Sequence, residues 1–123
     1  MQADEKSKSF ETLKNRADFV RMNASCKKWV SHGLVLQAAP NSLGKRRVGY
    51  TVTKRTDKSA VKRNRIKRRL RAVAADILPL YAKDSCDYVL IGKSQSAVRP
   101  FESLKNDLKW CLEKTGFGQE SGK

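Results

Sequence analysis

Residues 58–71 constrain this chain more than any other stretch. They read KSAVKRNRIKRRLR, with eight Lys or Arg in fourteen positions and no acid. At 100° per residue, Ile66, Leu70, Val73 and Ile77 fall in one narrow stripe. The segment therefore predicts a helix from Ala60 to about Leu78, with one face to bury against a sheet. Asn64, Lys67, Arg68 and Arg71 gather on the opposite side, and Arg63, Arg65 and Arg69 flank the stripe. Like charges three or four positions apart repel by a few tenths of a kcal/mol per pair. A merely solvated face mixes Glu with Lys and so avoids that cost. Here the repulsion is uncompensated, which points to anions supplied from outside the chain, and nucleic acid is the polyanion that fits.

The charge is local. Between Lys45 and Arg71 thirteen basic residues stand against one acid, Asp57, so this window carries +12 of the formal +15. A surplus this concentrated reads as a binding footprint, and contacts to phosphates should weaken steeply with salt. The 123 residues suit one domain with a modest core. We expect that domain over residues 10–115, between flexible tails at 1–9 and 117–123. No apolar run approaches the roughly eighteen residues of a membrane span, and no apolar region follows Met1. A cytoplasmic protein with no membrane contact is therefore expected. Cys26, Cys86 and Cys111 are widely spaced and odd in number, and no C-x-x-C occurs. Cys86 and Cys111 read as core residues and Cys26 as a free thiol, which speaks against zinc.

In chain order, Asn15 is a fitting N-cap, with Asp18 three residues on, for a first helix to about Ala24 that contains Phe19, Val20 and Met22. Residues 25–28 read as a basic connector. Trp29 to Ala39 is extended, broken at Ser31-His32-Gly33, and residues 40–44 form a turn. The strand Arg46 to Thr53 alternates, with Val48, Tyr50 and Val52 on one side and Gly49, Thr51 and Thr53 on the other. The second side is small enough for another molecule to approach closely. After the basic helix, which Pro79 should end or bend, residues 87–92 form an apolar strand. A last helix spans about Phe101 to Lys114, with Phe101, Leu104, Leu108, Cys111 and Leu112 in one stripe, Trp110 off it, and Gly116 as C-cap. The order α-β-β-(β)-α-β-α defines an α+β domain with one small sheet packed by helices. The strand-helix-strand unit of residues 46–92 suits a parallel pair.

Catalytic chemistry is hard to find. His32 is the only histidine, the acids are scattered, and no nucleophile motif, phosphate-cradling glycine loop or metal cluster is present. Asp57 alone could not hold the metals of a nuclease. We assign no catalytic and no metal-ligating residue to the chain.

Four blocks, taken in order, are more specific: LKNRADF (13–19), RRVGYTVTKR (46–55), AVKRNRIKRRLR (60–71) and DYVLIG (87–92). Together they resemble the protein subunit of bacterial ribonuclease P over about residues 13–112, with Arg63-Asn64-Arg65, Lys67-Arg68 and Arg71 similar to the family's signature helix. The resemblance implies a left-handed strand-helix-strand crossover, which is uncommon. It implies an accessory role in tRNA maturation, in which a catalytic RNA subunit removes the 5′ leader of precursor tRNA. The magnesium ions would be held by the RNA, with no cofactor bound by the protein alone and no protein partner required. Lys54, Arg55, Lys58, Lys62, Arg63, Asn64, Arg65, Lys67, Arg68 and Arg71 would face the RNA subunit, with arginines gripping phosphates bidentately. A leader cleft would contain Phe19, Asn23, Gln37 and Thr51. Asn23 and Gln37 stand where other family members have cleft aromatics, which shifts the cleft from stacking toward hydrogen bonding. The loop at 56–59 lacks the glycine often found before the signature helix.

Composition alone supports a basic ribosomal or other structured-RNA-binding protein equally well. A DNA-binding module fits less easily, because the apolar stripe half-buries the helix that would enter a groove.

Overall fold

The long basic helix begins where the preceding loop can hold it. A computed structural model describes residues 10–13, 17, 21, 26–41, 45–83 and 85–118. Helix α1 spans Ala60–Tyr81. Ser59 is its N-cap, with an oxygen that accepts from the Lys62 amide at 3.2 Å. Asp57 accepts in turn from the Ser59 amide at 2.9 Å. No acid stands in the first turn to meet the helix dipole, so these short-range bonds provide the start. Of the two expectations for Pro79, an end or a bend, the end does not hold: α1 continues through it to Tyr81. A proline this close to the end removes only one helical hydrogen bond, that to the Ala75 carbonyl. Arg46 supports the same end, donating from Nε to the Ala82 carbonyl at 3.2 Å.

The strands are β1 (Phe10–Thr12), β2 (Lys27–Val30), β3 (Leu34–Pro40), β4 (Arg46–Thr51) and β5 (Cys86–Gly92). They form one mixed sheet in the order β1-β4-β5-β3-β2. β4 and β5 are parallel neighbours joined through α1, whereas β2-β3 and β3-β5 are antiparallel. A 3-10 turn at Ser94–Ala97 leads to α2 (Phe101–Thr115), whose C-cap Gly116 takes the left-handed φ of 83°. The domain is α+β, with one sheet packed by helices.

Ile66, Leu70, Val73 and Ile77 are buried as the periodicity requires, joined by Ala74 and Leu78. They meet Val48, Tyr88, Leu90, Leu36 and the α2 residues Leu104, Leu108 and Leu112 in one core. Gly92 lets α1 sit close to the sheet: a Cβ there would stand 2.6 Å from Ile66 and 2.8 Å from Val52. Cys111 is fully buried, and burial pushes its thiol up to about 11, as suits a core residue.

Several expectations need correction. Residues 10–12 form a strand parallel to β4; three residues are too few to show alternation, and pairing defines them. Lys27 and Lys28 belong to β2, not to a connector. This strand lies at the sheet edge, where lysines are tolerated. Phe101 is 37% exposed and lies outside the core. Phe117, expected in a tail, packs edge-on against Tyr88 with centroids 6.2 Å apart, and Gly118 bridges to Ala82. Ala17 and Arg21 are helical where a first helix was expected, but Phe19 and Asn23 lie outside the described residues.

Leu70 is wholly buried beneath α1. Leu70→Ala should cost about 2–5 kcal/mol in denaturant unfolding. A loss below about 0.5 kcal/mol is typical of surface positions and would mean that the helix is not seated on this stripe.

Candidate nucleic-acid interface

Seating α1 by its apolar stripe decides what it shows to solvent. Lys62, Asn64, Arg65, Arg68 and Arg71 are exposed, as are Lys54, Arg55 and Lys58 in the loop before it. Lys67 and Arg63 are half-buried. Arg63 has a second task, donating to the carbonyls of Asp57 at 2.8 Å and Lys58 at 2.9 Å, so it braces the start of its own helix. Arg71 places its guanidinium 5.3 Å from the centre of the Tyr50 ring on β4. Burial pushes the Tyr50 phenol up to about 12, against the opposing pull of Arg71, so the hydroxyl keeps its proton at neutral pH. Lys62, Arg65 and Arg68 form no ion pair among the described residues. Their charge is left for something else.

The other face of the sheet carries two of the four residues expected in a cleft, Gln37 and Thr51. Gln37, Val89 and Gly49 are register partners across β3, β5 and β4, and Val35, Ile91 and Thr51 form the next row. Gln37 is buried and Thr51 half-buried. They share a face with one strand between them, about 10 Å apart laterally at the usual strand spacing. Leu13 covers part of this face, packing with Ala39 and Val89.

At the end of that face lies a cluster the sequence did not lead us to expect. Asp87, fully buried at the head of β5, receives two bonds from Arg47, at 2.9 and 2.8 Å. Asn41 donates to the same carboxylate at 2.7 Å, and Arg21 pairs with it as well. One acid thus joins β4, β5, the end of β3 and the helical residue 21. Burial alone would raise its pKa, but the bonds from Arg47 and Asn41 and the charges of Arg47 and Arg21 hold it below the usual carboxylate range. The available signal was an acid heading an apolar strand, which cannot be buried without partners.

His32 is exposed in the β2–β3 turn. Trp29 and Trp110 meet edge to face at 5.7 Å, both partly exposed.

A single mixed sheet packed by helices, with a long helix turning its cations outward, defines a small basic α+β protein. The family model described as Ribonuclease P matches residues 8–116. The ribonuclease P protein component of Paramagnetospirillum magneticum is 42% identical over 116 residues, covering 90% of this chain and 86% of that relative. That of Ruegeria pomeroyi is 38% identical, covering 88% of each. Among solved structures, the RNase P protein of Staphylococcus aureus superposes with a TM-score of 0.73 at 22% identity, covering 88% of this chain and 97% of that one. The RNase P protein of Thermotoga maritima gives 0.70 at 21% identity, covering 85% and 94%. The chain belongs to the ribonuclease P protein family.

A depressed carboxylate pKa contributes stability above its unfolded value and loses that contribution as pH falls toward the folded one. Asp87→Asn should therefore destabilise the protein at pH 7. Removing one partner of a buried pair costs roughly 3–5 kcal/mol, and the partial exposure of Arg47 and Arg21 favours the low end, about 3. In pH-dependent unfolding, the gap from wild type should hold down to the ordinary value of 3.8 and close below it. A gap that widened in acid would refute the assignment.

Proposed function

We propose that this chain is the RNA-binding accessory subunit of a bacterial ribonuclease P, working in the cytoplasm. It binds the catalytic RNA subunit through Lys54, Arg55, Lys58, Lys62, Arg63, Asn64, Arg65, Lys67, Arg68 and Arg71. It receives the 5′ leader of precursor tRNA on the opposite sheet face, near Gln37 and Thr51, with Phe19 and Asn23 contributing to the same cleft. The cleavage chemistry resides in the RNA and its magnesium ions. The protein raises the productive affinity of the two RNAs for each other by neutralising phosphates and positioning the leader, and needs no further protein.

The observation that carries this reading is the run from Lys58 to Arg71, where α1 turns cations outward with no acid among them. Like charges held this densely are costly to the free protein and favourable once phosphates replace the solvent around them. Family membership makes the RNA of ribonuclease P the natural source of those phosphates.

Adding the protein to a bacterial ribonuclease P RNA at low magnesium should restore 5′ cleavage of precursor tRNA. No rescue, together with tight binding to ribosomal RNA or duplex DNA, would instead establish a general structured-RNA or DNA binder. Replacing Lys62, Arg65 and Arg68 with Ala should leave thermal unfolding nearly unchanged while weakening RNA binding. Each lost phosphate contact should lower the magnitude of the salt slope by up to about one unit. An unchanged RNA affinity would remove α1 from the interface.

A further inference from the structure

The two flanks of α1 are not equivalent. On the flank facing β4, Arg71 lies over Tyr50. On the other, α1 and the segment leading into α2 enclose an open groove of about 610 Å³, lined by Arg65, Arg68, Arg69, Val98, Pro100 and Phe101 among others. That size falls within the roughly 300–1,000 Å³ of small-molecule clefts and is too small for a duplex.

Its lining divides into charge, wall and floor. Arg69 is committed to the fold, donating to the Ala97 carbonyl at 3.3 Å and to that of Arg99. Arg99 is neutralised by Asp107, with Nε 2.6 Å from the carboxylate. Arg69 holds the segment at 97–99 against α1, and Arg99 ties it to α2. Arg65 and Arg68 are exposed and form no ion pair among the described residues. Val98, 74% exposed, and Phe101, 37% exposed, give the groove an apolar side that the core does not use. The nearby acids do not answer the arginines: Asp76 and Glu102 both meet Lys105, at 3.6 and 3.3 Å. Lys105 also lies over one face of the Phe101 ring, 5.6 Å from its centre.

An occupant must therefore bring negative charge to Arg65 and Arg68 and a flat apolar surface to Val98, Pro100 and Phe101. A nucleotide carries both, the phosphate on one side and the base on the other. A base still paired in a helix could not enter, because its faces are covered by its neighbours in the stack. A second copy of this strongly basic chain would bring the wrong charge. We propose that this groove takes one unpaired nucleotide of the ribonuclease P RNA, its base stacked against Phe101 and its flanking phosphates held by Arg65 and Arg68. The proposal rests on the RNA-binding reading above and adds an aromatic, salt-independent contact to it.

The test compares Phe101→Ala, Phe101→Trp and Arg68→Ala in the full chain, with folding checked by circular dichroism and thermal melting. Binding to a bacterial ribonuclease P RNA is measured across salt concentrations, and the RNA is probed by 2′-hydroxyl acylation. Stacking of one base predicts that Phe101→Ala weakens binding about tenfold. It should leave the salt slope unchanged and expose one unpaired nucleotide that the wild type protects. Phe101→Trp should restore both affinity and protection. Arg68→Ala should instead flatten the slope by up to about one unit. Unchanged affinity with Phe101→Ala, or a loss of protection spread over the whole footprint, would overturn the proposal. A dimer bridged at position 101 would assign the groove to a second copy instead. Failure of the wild type to bind this RNA would bring down the broader reading, and the groove assignment with it.

Discussion

How deeply Ile66, Leu70, Val73 and Ile77 sit on the sheet determines everything the long helix can present. At Gly92 the helix approaches the backbone so closely that no Cβ fits between them. This contact fixes the rotation of α1 about its axis, and rotation decides which arginines meet solvent. A turn of 100°, the displacement of one residue, would bury cations and expose leucine. The apolar stripe is thus also the device that aims the charge, and the helix needs no acidic neighbours to hold its orientation.

The far side of the sheet is organised differently. Among the described residues its apolar cluster is Leu13, Ala39 and Val89, with Cys26 and Ile91 packed against them. One carboxylate does much of the joining: Asp87 ties β4 to β5 and reaches the helical residue 21. This tether stands on the face away from α1 and α2, the one that also carries Gln37 and Thr51. The two faces therefore differ in how they are held: α1 and α2 cover one with an apolar core, and the buried Asp87 carboxylate with its cationic partners anchors the other.

The features legible in the sequence were those with a strong period. The stripe of α1, the alternation of β4, the apolar run of β5 and the C-cap at Gly116 each leave several residues of evidence. Features that depend on pairing across the chain left little. β1 is only three residues long, and Lys27 and Lys28 are poor strand formers that an edge accommodates. Pro79 reads as a helix end or bend because sequence does not reveal the support Arg46 gives from β4. Among the basic residues, composition could not separate Arg65 and Arg68, which remain open, from Arg63 and Arg69, which hold backbone carbonyls. Asp87 gave the weakest warning for its importance, since its partners lie 40 to 66 positions away.

The edge strand β2 has a consequence for how the protein survives before it meets a partner. All four of its residues are exposed, and among the described residues its outer edge pairs with no other strand. Such an edge is a template on which another chain could add a strand, and Trp29 and Val30 would make the addition adhesive. Lys27 and Lys28 stand on that edge, so a second copy arriving there would set ammonium groups against each other. Two lysines at one edge thus work against extension of the sheet through β2.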